Sequence, residues 1–118
     1  MAGLYRGSFM MDYSTILSEC KRVQGELQVA NDAYYKVEYP HSVPEPVRFI
    51  EGRKWHKLDI GTSGAFMVRI DDGLVVGIKA YGVPHMKAVH GYIDKITGAQ
   101  LLPRRFARAN TPPIEGGI

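Results

Sequence analysis

One short segment of the chain gathers most of the side chains that could recognise a phosphate-bearing ligand. Residues 51–66 read EGRKWHKLDIGTSGAF, so that Arg53, Lys54 and Lys57 surround Trp55. An indole can stack on a nucleobase while neighbouring cations meet the phosphates attached to that base. The segment therefore predicts a ligand site. The alternative is an ordinary strand with solvated cations and a half-buried tryptophan.

Two glycines in the same segment suggest a further contribution to this site. Gly61 and Gly64 bracket Thr62 and Ser63, and backbone N–H groups in such a loop can bind an anion. A Walker phosphate loop is excluded, because no Gly-Lys-Ser/Thr sequence followed by a helix occurs here. The alternative is a plain connection between two strands, in which glycine adopts a positive φ.

A third part of the predicted site is the segment KAYGVPHMK at residues 79–87. Lys79, Tyr81 and His85 accompany a glycine and a proline in it, which is typical of a loop that closes over a ligand. The complete set of candidate ligand-binding residues is Arg53, Lys54, Trp55, Lys57, Gly61, Thr62, Ser63, Gly64, Lys79, Tyr81 and His85.

The other reactive side chains form no recognisable catalytic or metal site. His85 and His90 are five residues apart on a predicted loop and strand, so their spacing does not direct them to one metal ion. Cys20 falls on the apolar stripe of a predicted helix, where it fills space. The sequence favours a non-enzymatic protein without metal or cofactor. A small phosphoesterase-like enzyme using His85 or His90 is the catalytic alternative.

Length, charge and cysteine content indicate a small single-domain protein. The 118 residues carry a formal net charge of +3, and one cysteine permits no intrachain disulfide. Four cations and one anion lie in residues 48–57, and Arg104, Arg105 and Arg108 follow near the C-terminus. This distribution favours an anionic partner. No apolar run is long enough to cross a membrane, so we expect a cytoplasmic protein without membrane contact.

The first third of the chain predicts an amphipathic helix over residues 12–31. Asp12 is a suitable N-cap, and apolar residues then recur at steps of three and four as far as Tyr34. The apolar stripe either packs on the protein's own sheet or pairs with a second copy. The second alternative would make the protein a homo-oligomer.

The remainder of the chain predicts a meander of short strands. Alternation indicates strands at residues 35–39 and at about 47–51, 53–60, 65–71, 74–80 and 88–94. Asp71-Asp72-Gly73 predicts a turn between two of them, and Thr97-Gly98 predicts another. The predicted fold is α+β, with one N-terminal amphipathic helix packed on a five- to six-stranded, mainly antiparallel sheet or partly closed barrel. This domain spans residues 12–103, between a flexible leader (1–11) and a flexible basic tail (104–118).

Two motifs resemble a layout found in small phage-encoded proteins of unknown function. The first is Gly52-Arg53-Lys54-Trp55-His56-Lys57-Leu58, and the second is Gly91-Tyr92-Ile93-Asp94-Lys95-Ile96-Thr97-Gly98. In those proteins a G-R-K-aromatic-x-K strand precedes an F/Y-V/I-D-x-x-T-G turn. The resemblance implies a viral origin and a location in the host cytoplasm. Phage proteins of this size often bind host proteins, nucleic acids or signalling nucleotides.

The sequence therefore favours one function and leaves two alternatives. The favoured function is a binding protein that holds a phosphate-bearing ligand, either a nucleotide such as a signalling nucleotide or a single-stranded nucleic acid. The first alternative is a protein-interaction module that acts through the N-terminal helix, as a host-factor inhibitor or an assembly component. The second is the small phosphoesterase-like enzyme.

Overall fold

The computed structural model describes residues 11–106 and has the predicted α+β fold. A long helix precedes a five-stranded antiparallel sheet, which stays open rather than closing into a barrel. The elements are α1 (Tyr13–Glu38), β1 (Val47–Ile50), β2 (Trp55–Ile60), β3 (Ser63–Arg69), β4 (Leu74–Ala80), β5 (Val83–Tyr92), α2 (Gly98–Leu101) and a 3₁₀ turn (Leu102–Phe106). Apart from Met11 and residues 104–106, which lie in the 3₁₀ turn, the predicted leader and tail fall outside the described residues.

The helix α1 begins where the sequence predicts. The Asp12 carboxylate accepts a hydrogen bond from the Thr15 backbone N–H at 2.8 Å, and this bond lowers the pKa of Asp12. The apolar stripe of α1 is fully buried at Ile16, Cys20, Val23 and Leu27. These side chains belong to the same core cluster as residues of the sheet. The stripe therefore packs on the protein's own sheet.

The predicted strand at residues 35–39 is wrong, because α1 continues to Glu38. Tyr35 and Tyr39 are four residues apart, so the alternation that suggests a strand also places both rings on one side of a helix. Their ring centroids lie 5.4 Å apart, and the Tyr39 N–H donates to the Tyr35 carbonyl at 2.7 Å. Pro40 ends the helix, since a residue that precedes proline avoids the helical conformation.

Each strand of the sheet pairs with the next one along the chain, in the order β1-β2-β3-β4-β5. Gly61-Thr62 joins β2 to β3, and Tyr81-Gly82 joins β4 to β5. Gly61 and Gly82 have φ values of 65° and 78°, which favour glycine in both turns. The prediction of a loop at residues 79–87 is therefore wrong. This segment is a hairpin tip, and β5 already begins at Val83.

The predicted turn at Thr97-Gly98 is instead the start of α2. The Thr97 hydroxyl accepts from the Gln100 N–H at 3.2 Å, and Gln100 Oε1 accepts from the Thr97 N–H at 2.9 Å. This reciprocal capping box starts a helix. Gly98 lies directly against α1, where a Cβ atom would come within 2.2 Å of the Leu27 backbone nitrogen. The close contact between the two helices therefore requires glycine at this position.

Polar side chains of α1 fasten the helix to the chain at both edges of the sheet. Arg22 Nη2 donates to the Ile93 carbonyl at 2.9 Å, just beyond β5. Gln28 Oε1 accepts from the Val47 N–H at 2.7 Å, and Gln24 Nε2 donates to the Val47 carbonyl at 2.9 Å. The backbone of Val47 on the edge strand β1 is therefore bonded to side chains instead of remaining open to another strand.

The two faces of the sheet differ in what covers them. One face carries the main core, to which α1 and α2 both contribute. The other face carries a smaller cluster of Met67, Leu74 and Val76, with Trp55 and Ile78 packed against it and no helix residue among its members. We call the surface that bears this second cluster the open face. No helix within residues 11–106 is both long and apolar enough to cross a membrane.

The contact between α1 and α2 makes a stability prediction at two glycines. We expect Gly98→Ala to lower the free energy of unfolding by about 3 kcal/mol, because the new methyl group overlaps the α1 backbone. Gly25→Ala is the matched control. A Cβ at Gly25 has nothing within 4 Å, and alanine in a helix interior adds about 1 kcal/mol of stability. Urea denaturation of both variants checks this, and a Gly98→Ala protein of unchanged stability would contradict it.

Candidate binding site

Alternation along β2 separates its side chains onto the two faces of the sheet. His56, Leu58 and Ile60 are buried, and the last two belong to the core cluster that α1 covers. Trp55 and Lys57 are half-buried on the open face. This division follows from the alternation of side chains along an extended strand.

Strand register arranges the open face in three rows that run across the sheet. The central row consists of Ile50, Lys57, Met67, Val76 and Val89. One flanking row consists of Trp55, Arg69, Leu74 and Tyr92. The other flanking row consists of Arg48, Asp59 and Gly64. A mostly apolar centre therefore lies between two rows that carry aromatic and charged side chains.

Trp55 and Arg69 are register partners at one end of the open face. The Arg69 guanidinium lies 5.9 Å from the Trp55 ring centroid, within range of a cation–π contact. Arg69 also donates two hydrogen bonds to Asp72, at 2.9 and 2.6 Å, and these bonds lower the pKa of Asp72. Trp55 is thus a partly exposed ring held by an arginine whose charge is already paired.

Tyr81 reaches the opposite end of the open face from the turn between β4 and β5. Its hydroxyl donates to Asp59 Oδ2 at 2.9 Å, and this bond raises the pKa of Tyr81. Lys57 Nζ lies 4.7 Å from the centroid of the Tyr81 ring. The ring passes over Gly64, where a Cβ atom would come within 3.1 Å of Tyr81 Cδ1 and 2.8 Å of Ile78 Cδ1. Gly64 therefore leaves the space through which Tyr81 reaches β2.

The turn at residues 61–64 does not present the free amides that the predicted anion site needs. Gly61 and Thr62 form a two-residue turn, and the next two residues already belong to β3. The Gly61 N–H donates to the Pro46 carbonyl at 2.8 Å. The Glu45 carboxylate lies 2.7 Å from the position that a Gly61 Cβ would take. A carboxylate so close to the turn disfavours an anion there.

The other predicted residues do not all share the open face. Arg53 and Lys54 are exposed in the bend immediately before Trp55. Lys79 is exposed near the end of β4, and His85 is the register partner of Gly77. A Cβ atom at Gly77 would lie 3.6 Å from His90 Nε2, so His85 is on the helix-covered side of the sheet. Of the predicted set, Lys57 and Tyr81 are brought into contact, and Trp55 occupies a neighbouring row on the same face.

His56 and His90, on the helix-covered side, are packed against other side chains of the protein. Burial lowers the pKa of His56 and lowers that of His90 to about 4. His56 Nδ1 accepts from the Gly52 N–H at 3.1 Å, and the His90 ring packs edge-on against Phe66 with centroids 5.2 Å apart. A histidine with a pKa near 4 is a weak base at neutral pH. This environment does not favour a catalytic base at His90.

The remaining reactive groups of residues 11–106 do not assemble into a metal or nucleophile site. No group of three or more His, Cys, Asp and Glu side chains in this part of the chain could hold a metal ion. Burial raises the pKa of Cys20 to about 12, so this thiol is protonated and unreactive.

Four charged or aromatic residues of the open face are absent from the predicted site: Arg48, Asp59, Arg69 and Tyr92. Each reaches the face through strand pairing, as when Arg48 is placed opposite Asp59. Register is not visible in the sequence, so these side chains could not be assigned to one surface with Trp55. The available signal was alternation, which places Asp59 on the same face as Trp55 and Lys57.

Two shallow cavities lie along α1, and neither is lined by an open-face residue. The first, of about 490 Å³, is lined by Tyr34, Tyr35, Tyr39, Ser42, Val43, Glu45 and Arg105. The second, of about 770 Å³, follows the outer side of α1 and is lined by Lys21, Arg22, Gly25, Glu26, Val29, Ala30, Ala33, Thr97 and Ala99. The open face is thus a surface rather than one of these concave sites.

Comparison with known proteins gives no independent indication of what this surface binds. A scan against protein-family models, a search of the curated proteins and a search of the solved structures each returned no match. Any proposal of function therefore depends on the geometry and charge of the described residues.

The buried histidines predict how stability depends on pH. An unfolded histidine binds a proton near pH 6.5, whereas burial holds the folded pKa of His56 and His90 lower. The contribution of these histidines to the free energy of unfolding is therefore constant above about pH 7. It falls as the pH drops from 6.5 to 5, by less than about 1.4 kcal/mol per pH unit for each histidine, because each ring takes up at most one proton on unfolding.

Denaturation at intervals across this pH range tests the prediction. We expect His90→Gln to flatten the dependence, while His41→Gln, which replaces an exposed histidine, leaves it unchanged. Equal slopes for the two variants would contradict the assignment. The range stops at pH 5 because carboxylates with lowered pKa, such as Glu26 and Asp72, also contribute at more acidic pH.

Proposed function

We propose that this chain is a non-enzymatic protein that binds single-stranded nucleic acid on the open face of its sheet. The observation that carries the proposal is the combination of unpaired cations with accessible aromatic rings on one uncovered surface. Arg48, Arg53, Lys54 and Lys57 form no ion pair within residues 11–106. Among the ring-bearing side chains, Tyr81 and Tyr92 are 54% and 44% exposed.

The two kinds of side chain have complementary roles. Bases stack on aromatic rings without regard to sequence, because every base has a π-face, and the cations meet the phosphates between the bases. Trp55 and Asp59 are four residues apart on β2, a separation of about 13 Å at about 3.3 Å per residue. That length matches about four bases stacked at about 3.4 Å. The open face therefore has room for a short stretch of single strand.

The shape of the surface favours a strand over a single nucleotide. A small-molecule ligand is usually enclosed in a pocket that buries most of its surface. The cavities of about 490 and 770 Å³ lie along α1, and the cations of the open face are spread over β1, β2 and the bend before β2. An extended polyanion can contact all of them at once. A cytoplasmic location, in the host if the chain is viral, belongs to the same proposal.

Fluorescence anisotropy of a labelled deoxythymidine decamer tests this proposal. Each phosphate neutralised in a single strand contributes about −0.7 to the slope of log K against log salt, so four cations give about −3. We expect Lys57→Ala to reduce that slope by about 0.7, because one phosphate contact is lost. Lys36→Ala is the control, since Lys36 lies on the last turn of α1. Equal salt slopes for the two variants would contradict binding on the open face.

Trp55 supplies a second readout, because it is the only tryptophan in the chain. Stacking of a base on its ring should quench the intrinsic fluorescence. Trp55→Ala should weaken binding by about 1–3 kcal/mol, the usual contribution of one stacked base. Trp55→Phe, which keeps an aromatic ring against Met67 and its neighbours, should retain most of the affinity. Comparison of the two variants separates loss of stacking from loss of folding.

A second candidate function is association through the outer side of α1. Gly25, Val29, Ala33 and Val37 follow one another at intervals of four residues, so they form one stripe. Val29 and Val37 are 71% and 75% exposed. Small side chains permit another helix to approach closely, and this stripe differs from the one that the core buries. It favours a protein-interaction module, with a second copy of the chain as the first partner to test.

Sedimentation at several protein concentrations tests this second function. If the stripe mediates self-association, Val29→Lys should convert the oligomer to a monomer, because a charge then lies in the contact. Val43→Lys is the control, since Val43 is 87% exposed and lies outside α1. A chain that is monomeric at every concentration would exclude a homo-oligomer formed through this stripe.

A further inference from the structure

Asp59 has a buried acceptor that no group in the described part of the chain uses. The residue is only 3% exposed, although it lies on the open face. Its Oδ2 accepts the Tyr81 hydroxyl, whereas Oδ1 has no hydrogen-bond partner among residues 11–106. A buried carboxylate oxygen without a donor is unfavourable, and most such groups in proteins are paired. A ligand that brings a donor would remove this deficit.

The side chain that is hydrogen-bonded to Asp59, Tyr81, lies at the tip of a hairpin. Tyr81 is more than half exposed and is followed by Gly82 with a φ of 78°. Its polar contacts in this region are the hydrogen bond to Asp59 and the cation–π contact with Lys57. A ligand donor can replace the Tyr81 hydroxyl on Oδ2, since one hydrogen bond is then exchanged for another. The displaced ring remains beside the site, where it can stack on a base.

We propose that Asp59 makes the open face selective for guanine, an inference that rests on the proposed binding of single-stranded nucleic acid. Guanine carries the N1–H and the N2 amino group side by side on its Watson–Crick edge. These two parallel donors match the two oxygens of one carboxylate. Adenine and cytosine present one amino donor beside a ring nitrogen that only accepts, and thymine presents one N–H between two carbonyls. Guanine alone satisfies both Asp59 oxygens.

The charges around Asp59 are consistent with a nucleotide at this position. Arg48 is its register partner on β1, and Lys57 lies two residues away on the same face of β2. Neither cation forms an ion pair with Asp59 within 4.0 Å. Both are therefore available for the phosphates on either side of a base that contacts the carboxylate. The negative charge of Asp59 is used for recognition, while its neighbours provide the attraction.

Three oligonucleotides that differ in one base test the inference on the unmodified protein. Each is a thymidine octamer whose fourth position is deoxyguanosine, deoxyinosine or deoxyadenosine. Inosine lacks only the N2 amino group, so it removes one donor and leaves the N1–H in place. We expect the guanine octamer to bind about tenfold more tightly than the inosine octamer, because one charge-assisted hydrogen bond is lost. The adenine octamer should bind at least as weakly as the inosine octamer.

Two substitutions at the site give independent readouts. Asp59→Asn preserves the size of the side chain but replaces one acceptor oxygen with a donor, an arrangement that complements adenine. We expect this variant to lose the guanine preference and to bind the adenine octamer as tightly or more tightly. Tyr81→Phe removes the competing hydroxyl and keeps the ring. It should tighten guanine binding severalfold and tighten adenine binding less, because adenine brings a single donor.

The possible outcomes separate this inference from the proposed function. If all three octamers bind equally well, guanine selectivity is overturned and binding to the open face stands. If none of them binds, both are overturned. A guanine preference that survives in Asp59→Asn would also overturn the role of Asp59, because the preference would then arise elsewhere.

Discussion

α1 buries one stripe of side chains, Ile16, Cys20, Val23 and Leu27, on a single side of the sheet. Arg22 and Glu26 then fasten the chain beyond β5 to the same helix. Both described helices, α1 and α2, therefore pack on the same face of the sheet. The apolar cluster on the other face is covered only by side chains of the sheet itself. Its apolar cluster is shielded by long amphipathic groups, whose stems cover the apolar atoms while their polar ends stay in water. The character of the open face follows from this one-sided cover.

The parts of the fold that could be predicted are those with an unambiguous repeat. The apolar period in α1 and the alternation of Phe66 and Val68 with their neighbours leave one interpretation each. The errors occur where a local pattern fits two structures. Tyr35 and Tyr39 satisfy both a strand and a helix, and Thr97-Gly98 fits both a turn and a capped helix. Contacts distant in sequence decide between them, such as the packing of Gly98 on α1.

The candidate site was predictable only along a single strand. Alternation along β2 is enough to place Trp55, Lys57 and Asp59 on one face, without knowledge of how the strands pair. The glycine and proline near Tyr81 predict a loop there. The contact of Tyr81 with β2 could not be predicted, because the ring has to cross β3 over Gly64. Gly64 has a structural role that the sequence does not predict, because the absence of a Cβ atom makes room for the Tyr81 ring. Such crossings depend on the register of strands, which no local pattern in the sequence encodes.

Charge on the open face is the feature that stability alone does not explain. Arg69 is paired with Asp72, as expected for a side chain whose role is to cover a cluster, whereas Arg48 and Lys57 remain unpaired on either side of Asp59. Two like charges more than 4 Å apart in water repel by less than about 1 kcal/mol, so the fold tolerates both cations. A bound polyanion would replace this repulsion with attraction, because each cation then contacts a phosphate and a counterion is released. Unpaired cations beside accessible rings therefore favour a binding surface over an outer layer that only shields the sheet.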